Sequence, residues 1–219
     1  MNTCVITGAA SGIGAGLARH AAALGMKLVL ADWNEEALKR LAEDLPTEVL
    51  AVPTDVRDEV AVESLARAAF EQFGQVDLVF NNAGVLSSGL TWEIDAATWQ
   101  RSLAVNIGGV VNVIRAFVPR LIAADRPARI VNTSSLGGFL TSPFMAPYSA
   151  TKFAIVAISE ALAAELAATG SKVLVSLLAP GPVKSAIMDE PAPAPTAGFM
   201  EMLRGMSDEN GMSPDELAA

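Results

Sequence analysis

Six short runs dominated by Val, Ile and Leu, each separated from the next by a longer amphipathic stretch, narrow what this chain can become. They are Cys4 to Thr7, Lys27 to Asp32, Val49 to Pro53, Val76 to Asn81, Arg129 to Thr133 and Lys172 to Ala179. Runs so uniformly apolar suit strands covered on both faces, and the stretches between them supply both the cover and the crossovers that parallel strands require. The pattern predicts an α/β fold: a doubly wound parallel sheet with helices on both faces. The chain's 219 residues exceed the ~150-residue prior for one domain by too little for two, so residues 1–219 are expected to form a single domain.

The helical stretches carry their own signals. About Asn34 to Leu45, Glu35 precedes Lys39 by four residues and Glu36 precedes Arg40 by four, which marks a solvated outer face. About Asp58 to Phe73, a helix closes at Gly74, a residue free to adopt positive φ. Pro191-Ala192-Pro193-Ala194-Pro195 reads as a mobile loop, because alternate residues lack an N–H. Beyond it come Met200, Met202, Met206 and Met212, whose flexible thioethers suit an adaptable apolar surface or core packing equally well.

Charge and composition remove several function classes. With 15 Lys and Arg against 24 Asp and Glu the chain carries −9, which repels phosphate backbones and anionic lipid and predicts no nucleic-acid and no membrane partner. One cysteine, Cys4, forbids an intramolecular disulfide framework, and one histidine, His20, removes Cys/His zinc patterns and His-based triads. Cys4 reads as packing and His20 as a partly exposed helix residue; no metal site is expected. Met1-Asn2-Thr3 enters an apolar run with no basic leader, and polar residues such as Ser159, Glu160 and Glu165 interrupt even the Ala-rich stretch before it reaches the ~18 residues of a spanning helix. A cytoplasmic protein is the expectation.

Thr7-Gly8-Ala9-Ala10-Ser11-Gly12-Ile13-Gly14 lies between the first strand and an Ala-rich helix, where a glycine-rich turn lets a pyrophosphate reach backbone N–H groups at a helix N-terminus. Eighteen residues past Gly14, the second strand ends at Asp32, whose carboxylate can accept from a ribose diol and would repel a 2′-phosphate, favouring NAD over NADP; as an N-cap it would read equally well. Trp33 either stacks on adenine or covers the next helix. Tyr148-Ser149-Ala150-Thr151-Lys152 sets a phenol and an ammonium four residues apart on one helix face, with Ser135 thirteen residues upstream. Taken singly, Ser135 can be a turn residue, Lys152 a solvated charge, Asp55 a cap and Asn82-Ala83-Gly84 a turn.

In order and spacing these motifs resemble the short-chain dehydrogenase/reductase family. The glycines follow its TGxxxGxG form, Asn81-Asn82-Ala83-Gly84 its NNAG, Asp55-Val56 its adenine-holding pair and Tyr148 to Lys152 its YxxxK. Pro180-Gly181-Pro182-Val183-Lys184-Ser185 matches the PGxVxT stretch beside the nicotinamide, with Ser185 in place of Thr.

The resemblance implies a Rossmann fold and a catalytic set of Asn106, Ser135, Tyr148 and Lys152. Cofactor contacts are implied from Gly8, Ser11, Gly12, Ile13, Gly14, Asp32, Asp55, Val56, Asn82, Ala83, Gly84, Tyr148, Lys152, Pro180, Gly181, Val183 and Ser185. Tyr148 would be the general acid/base, Ser135 the donor to the substrate oxygen, Lys152 the ribose holder and the charge that lowers the phenol's pKa, and Asn106 the anchor of a relay water.

The reaction so implied is hydride transfer between NAD and a secondary alcohol or ketone. Residues about 185–212 would cover a hydrophobic substrate in a pocket drawn from Leu86, Leu136, Phe139, Leu140, Phe144, Met145, Ile187, Met188, Phe199 and Met200. A homo-dimer or homo-tetramer would pair through the helices bearing Asn106 and Tyr148. Ser213, Pro214 and the acidic pair after them open a helix that ends within about a turn, so a seventh strand is expected to be missing and Val173 to Leu178 to lie at an open edge. The competing readings are a non-catalytic nucleotide sensor or scaffold of the same fold, an inactive truncated fragment, and a relative catalysing dehydration or epimerisation.

Overall fold

A computed structural model describes residues 2–188 and 193–219. Strands β1 (Thr3–Thr7), β2 (Lys27–Asp32), β3 (Val49–Pro53), β4 (Leu78–Asn81), β5 (Ala128–Thr133) and β6 (Val173–Leu178) form one sheet in the order β3-β2-β1-β4-β5-β6, with every pairing parallel. Each expected strand is present within two residues. Between them run α1 (Gly12–Ala23), α2 (Glu35–Asp44), α3 (Glu59–Phe73), α4 (Ala96–Leu103), α5 (Val110–Ala123) and α6 (Ala146–Ala168), and after β6 come α7 (Ala197–Asn210) and α8 (Pro214–Ala218).

Alternation along the strands divides the core in two. Val5, Val29, Val79 and Ile130 face α3, α5 and α6, where they meet Leu65, Phe117 and Leu162; Cys4, Ile6, Leu28 and Leu30 face α1 and α2, where they meet Leu17 and Leu38. The one-residue offset between these sets is why the strand sequences look apolar throughout. Successive strands run outward from β1 in one direction to β3 and then restart at β4 on its other side, so a crevice opens beyond the carboxyl ends of β1 and β4.

The helix signals hold. Asn34 caps α2, Asp58 caps α3, and Gly74 ends α3 at φ 71°. Ser213 and Glu216 form a capping box on α8, which rests on α1 so closely that a Cβ on Gly16 would stand 2.4 Å from the Pro214 carbonyl oxygen. Strands β3 and β6 are the two edges of the sheet among the described residues.

Two expectations need correction. One π-helical turn, Ala104–Gly109, joins α4 to α5, and the resulting 28-residue run Ala96–Ala123 is long and apolar enough, by length and composition only, to cross a membrane. The bias has a local cause: Val113, Phe117 and Leu121 are core residues. Residues 197–210, expected within a covering loop, form α7, whose Met, Leu and Glu content favours helix. Residues 191 and 192 of the proline-rich segment lie outside the described residues.

Candidate active site

β1 leads into α1 through Gly8 at φ 64° and Gly12 at φ 49°. A Cβ on Gly8 would lie 2.8 Å from Ala83 Cα, and one on Gly14 would lie 2.0 Å from the Gly8 carbonyl oxygen, so the turn is pressed between β4 and the first turn of α1. Ser11 stands at the N-cap of α1 and makes no cap bond with its side chain. That leaves the positive end of the helix open to an anion. Thr7 Oγ1 accepts from the backbone N–H groups of Asn82 at 3.0 Å and Ala83 at 3.1 Å, which binds the Asn-Asn-Ala-Gly segment to the turn, while Asn82 Oδ1 is buried without a partner.

Asp32 is not a helix cap. Its Oδ2 accepts from Ala10 N–H at 2.9 Å and its Oδ1 from Asn34 N–H at 2.9 Å, while Asn34 itself caps α2. The carboxylate therefore steadies the glycine turn against the end of β2. Asp55 is not a cap either, since Asp58 takes that position; Asp55 is paired with Arg57, whose hydrogen bonds hold the carboxyl below its usual range against the opposing effect of burial.

At the other end, Tyr148 occupies the first turn of α6 and Lys152 the next. Lys152 is buried, not solvated: its Nζ donates to the Thr133 carbonyl at 2.9 Å and stands 5.5 Å from the Tyr148 ring centroid. Ser135 follows β5, accepts from Gly137 N–H at 3.1 Å, and stands beside Tyr148, whose ionised form it favours. It is thus both a turn residue and a site residue. A Cβ on Gly137 would come within 3.3 Å of Tyr148 Cε1, a constraint the sequence alone did not reveal.

Burial raises the Tyr148 pKa above its usual value, opposed by the neighbouring Ser135 hydroxyl, and burial lowers Lys152 to about 8. The expectation that Lys152 pulls the phenol toward neutrality is therefore not met by these groups alone. The dry surroundings penalise phenolate and weaken the ammonium together.

Asn106 sits in the π-helical turn behind the cavity wall. Its Oδ1 accepts from Val85 N–H at 2.8 Å, and its Nδ2 donates to the Val85 carbonyl and to Thr151 Oγ1, each at 2.9 Å. Thr151 Oγ1 in turn donates to the Tyr148 carbonyl at 2.8 Å. The amide thus clamps the segment after β4 to the helix that carries the phenol.

A cavity of about 870 Å³ unites these parts. Gly8, Ser11, Gly12, Ile13, Asp32, Asp55, Val56, Asn82, Ala83, Gly84, Ser135, Tyr148, Lys152, Pro180, Gly181, Val183 and Ser185 all line it, and so does Trp33, which is 81% exposed. Gly14 and Asn106 do not line it and lie directly behind. The segment after β6 lies against the glycine turn, where a Cβ on Gly12 would be 3.2 Å from Ser185 Cβ. It is held from the other side by Ser207 Oγ donating to the Val183 carbonyl at 3.0 Å and by Lys184 N–H donating to the Met212 carbonyl at 2.9 Å.

Of the apolar residues expected at the pocket, Leu86, Leu136, Leu140, Met145, Ile187 and Met188 line it. Met200 is instead buried behind Leu86 and Met145, with Phe199 packed against that cluster and edge-on to Phe144 at 5.3 Å; Phe139 is half exposed. Leu203 and Met206 of α7 line the cavity and were not foreseen, although their three-residue spacing on a helix was readable. The methionine group thus divides, with Met200 in the core, Met206 on the cavity and Met202 about half exposed. Cys4 is free and buried, which pushes its thiol up; His20 is half-buried in the last turn of α1.

Comparisons with known proteins agree with this geometry. The family model described as short chain dehydrogenase matches residues 2–195. A 1-deoxy-11-beta-hydroxypentalenate dehydrogenase of Streptomyces exfoliatus is 38% identical over 219 residues, an alignment covering 98% of this chain and 76% of that protein. The crystal structure of a short chain dehydrogenase/reductase from Burkholderia phymatum in complex with NAD superposes with a TM-score of 0.94 at 38% identity, covering 99% of this chain and 83% of the other. A 3-ketoacyl-(acyl-carrier-protein) reductase from Brucella melitensis, complexed with NADH, gives a TM-score of 0.86 at 31% identity, covering 99% and 87%.

Proposed function

The chain belongs to the short-chain dehydrogenase/reductase family of oxidoreductases, and from that premise we propose that it interconverts a secondary alcohol and a ketone with an apolar body, using NAD in preference to NADP. The observation that carries this reading is the convergence of Tyr148, Ser135 and Lys152 on the same cavity as the open N-terminus of α1. The residues fit a dinucleotide: the glycine cradle admits no Cβ at Gly8 or Gly14, and Asn82 Oδ1 is a buried acceptor still to be used. Bound there, the cofactor would supply a hydride acceptor and, when oxidised, a positive ring.

The protein's own groups handle the proton and the substrate. Ser135 donates to the substrate oxygen and Tyr148 exchanges a proton with it. Lys152, fixed to the Thr133 carbonyl, keeps a positive charge beneath the phenol. Asn106 acts as a clamp, and Asp32 bars a 2′-phosphate by like charge. The substrate lies against Leu86, Met145, Ile187, Met188, Leu203 and Met206, with the described part of residues about 185–212 (185–188 and 193–212) as its cover. The relative from Streptomyces exfoliatus, named as the dehydrogenase of a hydroxypentalenate, supports an alcohol as the substrate. A cytoplasmic homo-dimer or homo-tetramer, paired through α4–α5 and α6, completes the reading.

Purified protein is to be incubated with NAD and a panel of apolar secondary alcohols while nicotinamide absorbance is followed, alongside Tyr148→Phe. Turnover in the parent and at least a ~10²-fold lower kcat in the variant, with cofactor binding retained, are expected. Equal kcat in the two proteins would remove Tyr148 from the chemistry.

A further inference from the structure

Pro143 and Phe144 turn the chain from the loop after β5 into α6. Phe144 stands at φ 64°, one of two non-glycine residues with positive φ among the described residues. A turn in which Pro is followed by positive φ is one that glycine normally completes, and a bulky side chain there is strained. Glycine would remove the strain, so what the position keeps at that cost is the ring. The ring does not line the cavity. It meets Phe199 of α7 edge-on, with centroids 5.3 Å apart and the planes at 68°. Phe199 packs against the cluster of Leu86, Met145 and Met200, as do Tyr148 and Leu203.

The backbone of Phe144 makes a second tie, its carbonyl accepting from Gly89 N–H at 2.8 Å. Gly89 is itself lodged where a Cβ would stand 2.7 Å from Ile94 Cγ1. One residue thus joins three walls of the cavity: the segment carrying Leu86, the first turn of α6 carrying Met145 and Tyr148, and α7 carrying Leu203 and Met206. A return to negative φ would carry the carbonyl and the ring away together, so relaxing the strain would cost both contacts. The consequence for specificity rests on the reading that an apolar secondary alcohol enters this cavity. We propose that Phe144 is a positioning residue: by latching α7 to the turn that precedes Tyr148, it fixes the width of the apolar slot and so the size of the alcohol that reaches the phenol.

The test pairs amide hydrogen exchange of α7 with a size ratio, kcat/KM for cyclooctanol over that for cyclopentanol with NAD as oxidant. Both are measured on the full chain for the parent, Phe144→Leu, Phe199→Leu, the double variant and Phe144→Tyr. Each leucine variant should speed exchange across α7 by about three- to tenfold, the scale of one edge-on ring pair, and the double by no more than either single. The size ratio should rise at least about threefold in the same variants, while KM for NAD stays within about twofold of the parent's. Phe144→Tyr, which keeps a ring, should match the parent in both readouts. A turn that was structural only would lower Tm and leave the size ratio where it was. Leucine variants with the parent's exchange or the parent's size ratio, or a double whose effect is the sum of the singles, overturn the proposal. If the parent oxidises neither alcohol, the reaction reading fails and this inference falls with it; if it oxidises them and the variants do not move, the inference alone fails.

Discussion

Replacing Asn106 by Ala separates a clamp from a chemical participant. The amide makes three hydrogen bonds in a fully buried position, two to the backbone of Val85 and one to Thr151 Oγ1. Removing it strands the Val85 N–H and carbonyl, each worth about 1–3 kcal/mol when unmet. Val85 itself is half-buried, so water recovers part of that, whereas Thr151 Oγ1 keeps its bond to the Tyr148 carbonyl and loses little. The sum is about 3 kcal/mol, which for a domain of this size lowers Tm by about 6–12 °C. Activity should fall as well, because Gly84, adjoining the released segment, lies where a Cβ would meet Lys152 Nζ at 3.6 Å. Thermal melts of parent, Asn106→Ala, Thr151→Val and the double variant are the measurement. The double should be less destabilised than the sum of the singles by about 1 kcal/mol, the value of the shared bond. An Asn106→Ala protein that melts with the parent while losing turnover would refute the clamp and return Asn106 to the chemistry.

Asp32→Ala should raise kcat/KM with NADP relative to NAD, since the nearest negative group to a 2′-phosphate is removed; a parent that already uses both equally would show that its backbone bonds to Ala10 and Asn34 are its whole role. Lys152, lowered by burial from 10.5 to about 8, gives a signed pH dependence. Below about 8 both folded and unfolded chains hold its proton, and between about 8 and 10.5 the unfolded chain holds more, so parent stability should rise with pH across that window relative to Lys152→Met. A constant difference in unfolding free energy between the two proteins would show that Lys152 titrates normally.

The strands were legible because each is covered on both faces and so is written as an unbroken apolar run; β4 starts two residues later than expected, although Asp77 just before it still pairs both ways, its N–H donating to the Thr3 carbonyl at 3.0 Å and its carbonyl accepting from Arg129 N–H at 2.9 Å. The motifs were legible because glycine spacing and the four-residue offset of Tyr148 and Lys152 are local. What was not legible is every interaction in which a side chain captures backbone from elsewhere in the chain. Asn106 holds Val85 across 21 residues, and Thr7 holds Asn82 across 75. No periodicity encodes such a pairing. One apolar run went unread: the helical stretch Ala96–Ala123, which buries Phe117, Val113 and Leu121 in the core, has by length and composition the apolarity of a bilayer span, where no such stretch was expected.

The two carboxylates of the cofactor end show how much function such captures decide. In sequence, Asp32 and Asp55 are alike: each stands at or just past the end of a strand, precedes a helix and can be read as a cap. In the fold neither caps, and their remaining acceptor capacity differs. Each Asp32 oxygen accepts one backbone N–H, from Ala10 and from Asn34, which leaves about one acceptor position on each for a diol. Asp55 takes three hydrogens, all from Arg57: the backbone N–H on Oδ1, Nη2 on Oδ2 and one Nε–H shared between the two. The neighbour that makes the difference is two residues away in one case and in both directions along the chain in the other, at Asn34 and at Ala10. What separates the two acids in the fold is thus the set of N–H groups already placed on them, which neither residue type nor place in the sequence reveals.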